Sequence, residues 1–305
     1  MRVRPPREED FDEVLALLQA ADAALMGESD WVADDLRDEW DDIADTERDA
    51  WVVELDGRIA GHAFLLDRPS RLSADGYVHP ELRGRGVGTE LLRLTEERAR
   101  ELGEQREPPV KLQNATLVGD PCVPALYARH GYEPARHFFR MVIDLDEEPP
   151  ALSEPVGATI EPYDHPRDAR ALHETIEEAF ANEWNHRYEP FEDFEKRRLA
   201  GRHFDPSLWF VARAEGAVVG AILADWKRMG PWGWIGSVGV RDGWRRRGIG
   251  EALLRAAFRE LHRRGERKVA LGVDVQNPTG ATRLYERVGM RVFWEAVVYE
   301  KVIRA

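Results

Sequence analysis

The chain has 305 residues, with 43 Lys and Arg against 57 Asp and Glu and a formal net charge of −14. That acidic balance excludes a non-specific nucleic-acid binder, which needs a basic face. The N-terminus has no apolar signal core and no segment approaches about 18 consecutive apolar residues, so neither a leader nor a membrane span is expected, and the chain reads as soluble and cytoplasmic.

A single cysteine, Cys122, leaves no internal disulfide framework. The length suits about two domains, each able to bury its own core. In chain order, a short strand is predicted at 1–4. A helix follows in which Phe11, Val14, Leu15 and Leu18 share one face at helical spacing. A second helical segment covers 32–43, where the acidic run 34–42 reads as a solvated face. Two strands meet at Asp56-Gly57, a hairpin signal. A third strand runs into the turn Arg83-Gly84-Arg85-Gly86-Val87-Gly88, which opens a helix. A strand at 110–116, a short helix with Gly131 at its C′ position and two closing strands complete this half. Asp144 to Pro155 is rich in Asp, Glu and Pro and reads as a linker.

The same order then recurs. A strand at 158–162 precedes a helix with Ala171, Leu172, Thr175, Ile176 and Phe180 on one face, then a helical segment at 191–199 and a hairpin at Glu215-Gly216. A third strand enters Arg245-Arg246-Arg247-Gly248-Ile249-Gly250, and the following helix buries Leu253, Leu254, Ala257, Phe258 and Leu261. A strand at 268–275, a short helix ending at Gly289 and two closing strands finish the half. Trp51-Val52-Val53 corresponds to Trp209-Phe210-Val211, and Leu126-Tyr127 to Leu284-Tyr285. The chain is therefore a tandem repeat, with domains expected at 1–146 and 156–305 and a linker at 147–155. Each domain is expected to be α/β (α+β), a mixed, mostly antiparallel sheet flanked by helices. The strand before each glycine turn should splay from the strand after the next helix.

A glycine turn opening a helix presents unpaired backbone N–H groups, the positive end of the helix dipole and, here, arginines to an anion such as a phosphate. One copy alone could simply cap a helix; two copies with matching flanks favour the anion. No His, Cys or carboxylate spacing suggests a metal site.

The turns match Arg-x-x-Gly-x-Gly at Arg83, Gly86 and Gly88 and at Arg245, Gly248 and Gly250. Asn277, Ala281, Tyr285 and Gly289 complete a pattern Asn-x-x-x-Ala-x-x-x-Tyr-x-x-x-Gly, which the first half keeps only at Tyr127 and Gly131, with Gly119 and Val123 at the other positions. On these residues the chain resembles the GNAT superfamily of acyl-CoA-dependent N-acyltransferases, present twice, in the tandem layout of mycothiol synthase and its relatives. The resemblance implies acetyl-CoA as co-substrate, no metal, and a small-molecule primary amine as acceptor. It implies a catalytic C-terminal half and a degenerate N-terminal copy, whose cofactor side would comprise Val78, Arg83, Gly84, Arg85, Gly86 and Gly88. In the second half, Val238 and Val240 would offer backbone groups to the pantetheine arm, and Arg245, Arg246, Arg247, Gly248, Ile249 and Gly250 would cradle the pyrophosphate. Asn277 would bond the arm or cap the following helix with Pro278 at N1. Tyr285 would be the general acid, or else a packing residue. Many relatives carry a Glu on the strand before the turn, but residues 233–238, Gly-Trp-Ile-Gly-Ser-Val, contain no carboxylate. Glu183, His186 and Asp225 stand as acceptor-side candidates, beside deprotonation relayed by water. Trp184, Trp226, Trp232 and Trp234 suit either a cationic acceptor or packing. Two alternatives accompany this reading: mycothiol synthase proper, and a non-catalytic acyl-CoA-binding or scaffolding protein.

Overall fold

A computed structural model describes residues 1–150, 155–201, 203–227 and 229–305. Within it the chain forms two compact units, Met1–Phe138 with Trp294–Ala305, and Phe139–Phe293. The expected boundary near residue 146 differs from this division, because each half ends in a strand long enough to pass from one unit into the other. Of the expected linker 147–155, residues 151–154 lie outside the described residues.

Unit 1 runs β1 (Arg2–Arg4), α1 (Phe11–Met26), α2 (Ala33–Asp42), α3 (Thr46–Asp49), β2 (Ala50–Leu55), β3 (Arg58–Arg68), β4 (Arg71–Val78), α4 (Val87–Gly103), β5 (Val110–Leu117) and α5 (Val123–Arg129), then enters β6 (Glu133–Asp144). Unit 2 takes the rest of β6, then β7 (Thr159–Pro162), α6 (Ala169–Phe180), α7 (Phe191–Phe194), β8 (Phe210–Ala214), β9 (Ala217–Asp225), β10 (Gly233–Val240), α8 (Ile249–Arg263), β11 (Lys268–Asp274) and α9 (Ala281–Arg287). The last strand, β12 (Arg291–Arg304), begins in unit 2 and crosses into unit 1 at Trp294. There it pairs antiparallel with β5, Ala296 opposite Leu117 through Arg304 opposite Val110. Strand order is β1-β2-β3-β4-β5-β12 in unit 1 and β6-β11-β10-β9-β8-β7 in unit 2. Each unit is thus a mixed, mostly antiparallel α/β structure whose elements recur in the predicted order.

The local signals hold. Asp56 and Gly57 (φ +53° and +80°) and Glu215 and Gly216 (φ +51° and +81°) have the paired left-handed residues of a tight hairpin. Leu253, Leu254, Ala257, Phe258 and Leu261 of α8 are all buried against the sheet, each such side chain contributing roughly 1.5–3 kcal/mol. α7 is one turn long and continues as a π-helical turn over Glu195–Leu199. The two closing strands expected per half are instead one long strand each, β6 and β12; neither sequence contains a turn residue in its interior to break it.

His62 of β3 is fully buried in unit 1, bonded through Nδ1 to the Trp51 carbonyl at 3.0 Å, with Nε2 unpaired. Burial pulls its pKa down to about 4, below that of the unfolded chain, about 6.5. As pH falls from about 6.5 to 4 the unfolded state takes up a proton that the folded state refuses, so stability falls over that window and levels below it. His62→Leu should therefore remove roughly 3 kcal/mol of acid sensitivity, read from urea unfolding of both proteins at pH 7 and pH 4.5. Equal pH dependence in the two proteins would contradict the assignment.

Candidate active site

The glycine turn of unit 2 leaves β10 at Val240 and enters α8 through Gly248, its left-handed N-cap. Arg246 and Gly248 have φ +61° and +81°, and such alternation of hand turns successive N–H groups toward one side. Arg246, Arg247 and Gly248 are exposed. Arg247 stacks on Trp244 at 4.5 Å. Arg245 turns inward instead: Nε donates to Val240 O at 3.1 Å, Nη2 donates to Ala179 O at 3.2 Å, and Nη1 pairs with Asp242 at 2.9 Å. It ties the strand end to α6, leaving an anion to the backbone and its two neighbours. Ile249 is buried, and Gly220 makes room for it, since a Cβ there would lie 3.0 Å from Ile249 Cγ2. Val240 and Val238 pack as side chains against the core, and a Cβ on Gly250 would stand 3.0 Å from Leu284.

Unit 1 repeats the turn, with Gly84 and Gly86 at φ +77° and +85°. Its arginines are both held by carboxylates, Arg83 by Asp120 at 3.4 Å and Arg85 by Asp56 at 2.9 Å. Val78 packs beside Gly88, 3.6 Å from where a Cβ would stand.

Beyond each turn the expected splay is present. β10 and β11 pair in parallel only at Gly233–Val269 and Trp234–Ala270, and β4 and β5 only from Leu72–Leu112 to Ala74–Asn114. From there each pair separates, opening one edge of β10 and of β4. The units differ on the other edge. β9 and β10 shift register between Ile235 and Ser237, so Gly236 is a bulge, whereas β3 and β4 pair without a break. A bulge leaves one residue out of the ladder and re-aims its backbone groups.

At the C-terminal end of β11 three of the predicted residues meet. Asn277 Nδ2 donates to Glu183 Oε1 at 2.6 Å, and Asn277 Oδ1 accepts from the Thr279 backbone N–H at 2.7 Å. The α9 N-cap is Gly280, so Asn277 forms a turn ahead of the helix rather than capping it. Burial raises the Glu183 carboxyl, with Asp274 adding to the rise, while Asn277, His186 and Arg245 oppose it. Tyr285 is buried, and burial followed by Glu183 pushes its phenol well up; its hydroxyl has no hydrogen-bond partner among the described residues. In unit 1 the matching hydroxyl of Tyr127 donates to Ala115 O at 3.3 Å. His186 Nε2 lies 3.3 Å from Glu177, and both border an open cleft of about 480 Å³ with Glu174, Glu178 and Tyr188.

Asp225 stands apart from this group. It is buried and pairs with Arg198 at 3.4 Å, and the Gly236 bulge accommodates the pair, since a Cβ there would lie 2.7 Å from Arg198 Nη2. Trp232 meets Phe293 at 5.2 Å and Lys268 at 4.4 Å, and Trp234 lies under Arg140 at 4.8 Å; these tryptophans pack within unit 2. Trp226 is exposed and donates to Glu266. Asp274 and the bulge were missed from sequence. A carboxylate closing an apolar strand, Ala-Leu-Gly-Val-Asp at 270–274, was the available signal for the first.

Among the described residues no helix is long and apolar enough to cross a membrane, and no three His, Cys, Asp or Glu residues could hold a metal ion. A family model described as the acetyltransferase (GNAT) family matches residues 169–290, and one described as an acetyltransferase (GNAT) domain matches 46–134. The chain is similar to a mycothiol acetyltransferase of Thermomonospora curvata, 33% identical over 80% of each protein. It is also similar to a mycothiol acetyltransferase of Catenulispora acidiphila, 28% identical over 98% of this chain and 97% of the relative. A solved GCN5-related N-acetyltransferase from Sphaerobacter thermophilus is 36% identical, with a TM-score of 0.90 over 100% of this chain and 96% of that one.

Proposed function

The chain belongs to the GNAT acetyltransferase family, and from that premise we propose that its Phe139–Phe293 unit is the catalyst, moving an acetyl group from acetyl-CoA to the primary amine of a small molecule. The observation that carries this reading is the 2.6 Å bond from Asn277 to Glu183 beside the unengaged hydroxyl of Tyr285. The open edge of β10 suits an extended arm bearing amides, which would add to the sheet as a strand does. The exposed N–H groups at Arg246–Gly248 suit its pyrophosphate.

Glu183, raised toward neutrality by burial, is placed to take the proton of the incoming ammonium, since a base works best with a pKa near the working pH. The amine nitrogen then bonds the acetyl carbon and the carbon–sulfur bond breaks. A backbone N–H released at the Gly236 bulge supports the charge growing on the carbonyl oxygen. Tyr285 keeps its proton at any working pH and donates to the departing sulfur, whose thiol has an ordinary pKa of about 8.5.

Thiol release from acetyl-CoA, followed across a panel of primary amines and matched alcohols, tests the reading. Turnover is expected with amines alone, rising with pH as ammonium and Glu183 lose protons. Alcohols serving as well as amines would overturn it, and no release with any amine would favour an acyl-CoA-binding role without chemistry. The names of the relatives favour a narrower version, mycothiol synthase proper; the absence of a carboxylate from β10 stands against it.

A further inference from the structure

Unit 1 buries carboxylates for which its fold gives no use. Asp75 and Tyr77 lie two residues apart on β4, hence on one face, opposite Phe64 and His62 of β3. That face packs with Trp31, Leu36 and Trp40, and Trp31 meets the Tyr77 ring edge-on at 5.9 Å. Glu39, on α2 next to buried Trp40 and one turn from buried Leu36, reaches the same place: its charge and that of Asp75 act on each other and on Tyr77. Asp22 of α1 and Asp30 of the loop after it complete a ring of four carboxylates about the Tyr77 hydroxyl.

The charges do not balance. Asp75 faces Arg71 and, from α5, Tyr127. Glu39 faces Asp75, Asp35, Asp42 and Arg68, but the Arg68 guanidinium is engaged with Asp42 at 2.9 Å. Glu39 Oε2 is buried and has no hydrogen-bond partner. An unpaired buried carboxylate oxygen lowers stability, because its lost hydration is not replaced. Such a feature persists where a ligand supplies the missing partner.

We propose that unit 1 binds an organic primary ammonium group between Glu39 and Asp75, at a site separate from the Glu183–Tyr285 cluster. Three N–H donors can serve both carboxylates, and the Trp31 and Tyr77 rings favour a cation carrying apolar bulk. No metal-ligating group of side chains is present among the described residues, which favours an organic cation. Without it, burial pushes the Asp75 carboxyl up to about 6 and raises Glu39 well above its ordinary range. Binding therefore displaces protons and tightens as pH rises from 5 to 8.

The probe is phenethylammonium, with 2-phenylethanol as its uncharged isostere, titrated calorimetrically into the full chain. Phenethylammonium should bind, lose at least about tenfold in affinity in Glu39→Gln/Asp75→Asn, and keep its affinity for this site in Glu183→Gln; 2-phenylethanol should bind at least about tenfold more weakly. Equal affinity in the double variant, equal binding of the alcohol, or loss in Glu183→Gln alone would each overturn the proposal. If the double variant does not fold, titration of the unaltered protein in two buffers of different ionisation enthalpy decides: proton release at pH 6 supports the site, and its absence refutes it.

Discussion

Gly248→Asp is expected to weaken acetyl-CoA binding at least ~100-fold, about 2.7 kcal/mol. The position is open, since the nearest heavy atom to a Cβ there is Pro155 Cα at 3.9 Å, so the aspartate carboxylate would occupy the space in front of the α8 N-terminus. It would take for itself the N–H groups and dipole that a pyrophosphate needs, and repel it. The backbone also carries a cost: φ at Gly248 is +81°, which a side chain tolerates at roughly 1–2 kcal/mol. Gly248→Ala bears that strain without the charge, so calorimetry on both variants separates the two effects. A folded Gly248→Asp protein that binds acetyl-CoA like the unaltered one would remove the pyrophosphate from this turn. The parallel variant Gly86→Asp reports whether unit 1 holds a second cofactor.

Tyr285→Phe keeps the ring in place and removes only the hydroxyl. If that group donates to the departing sulfur, kcat should fall by about 10²-fold with acetyl-CoA affinity nearly intact. Tyr127→Phe should leave turnover nearly unchanged, at a stability cost of about 1 kcal/mol for the lost bond to Ala115 O. Its ring stays packed between Tyr132 and Tyr299, at 5.3 and 5.1 Å. Steady-state kinetics on both variants decides. A large loss from Tyr127→Phe with a neutral Tyr285→Phe would move the chemistry to unit 1; neutrality in both would leave the proton to water.

What the sequence made legible was local or repeated. Helix faces, hairpin turns at Asp56-Gly57 and Glu215-Gly216, and left-handed helix ends at Gly131 and Gly289 (φ +77° and +98°) follow from residues within a few positions of one another. The splay follows from the repeated order of elements. Site features that depend on register or on distant pairings were hidden. The Gly236 bulge exists only relative to β9. Arg245 looked like a phosphate ligand because nothing nearby in sequence announces the Ala179 carbonyl that holds it. Glu183 was one of three equal candidates until the fold set it against Asn277, 94 residues on, and paired Asp225 with Arg198 instead.

The strand that crosses from unit 2 into unit 1 also sets an order of assembly. Unit 2 is one uninterrupted stretch, Phe139–Phe293, and has all of its strands once residue 293 has been made. Unit 1, although most of it is translated first, waits for Trp294–Ala305. Until then β5 has an unpaired edge, and Arg304 is not yet bonded to the carbonyls of Gly103, Glu104 and Arg106 at the end of α4. During translation the first-made part of the protein is thus the last to be completed. Its open strand edge is a template for intermolecular pairing for as long as the ribosome takes to traverse the second half. Slowing translation there should raise aggregation through unit 1 and leave unit 2 unaffected.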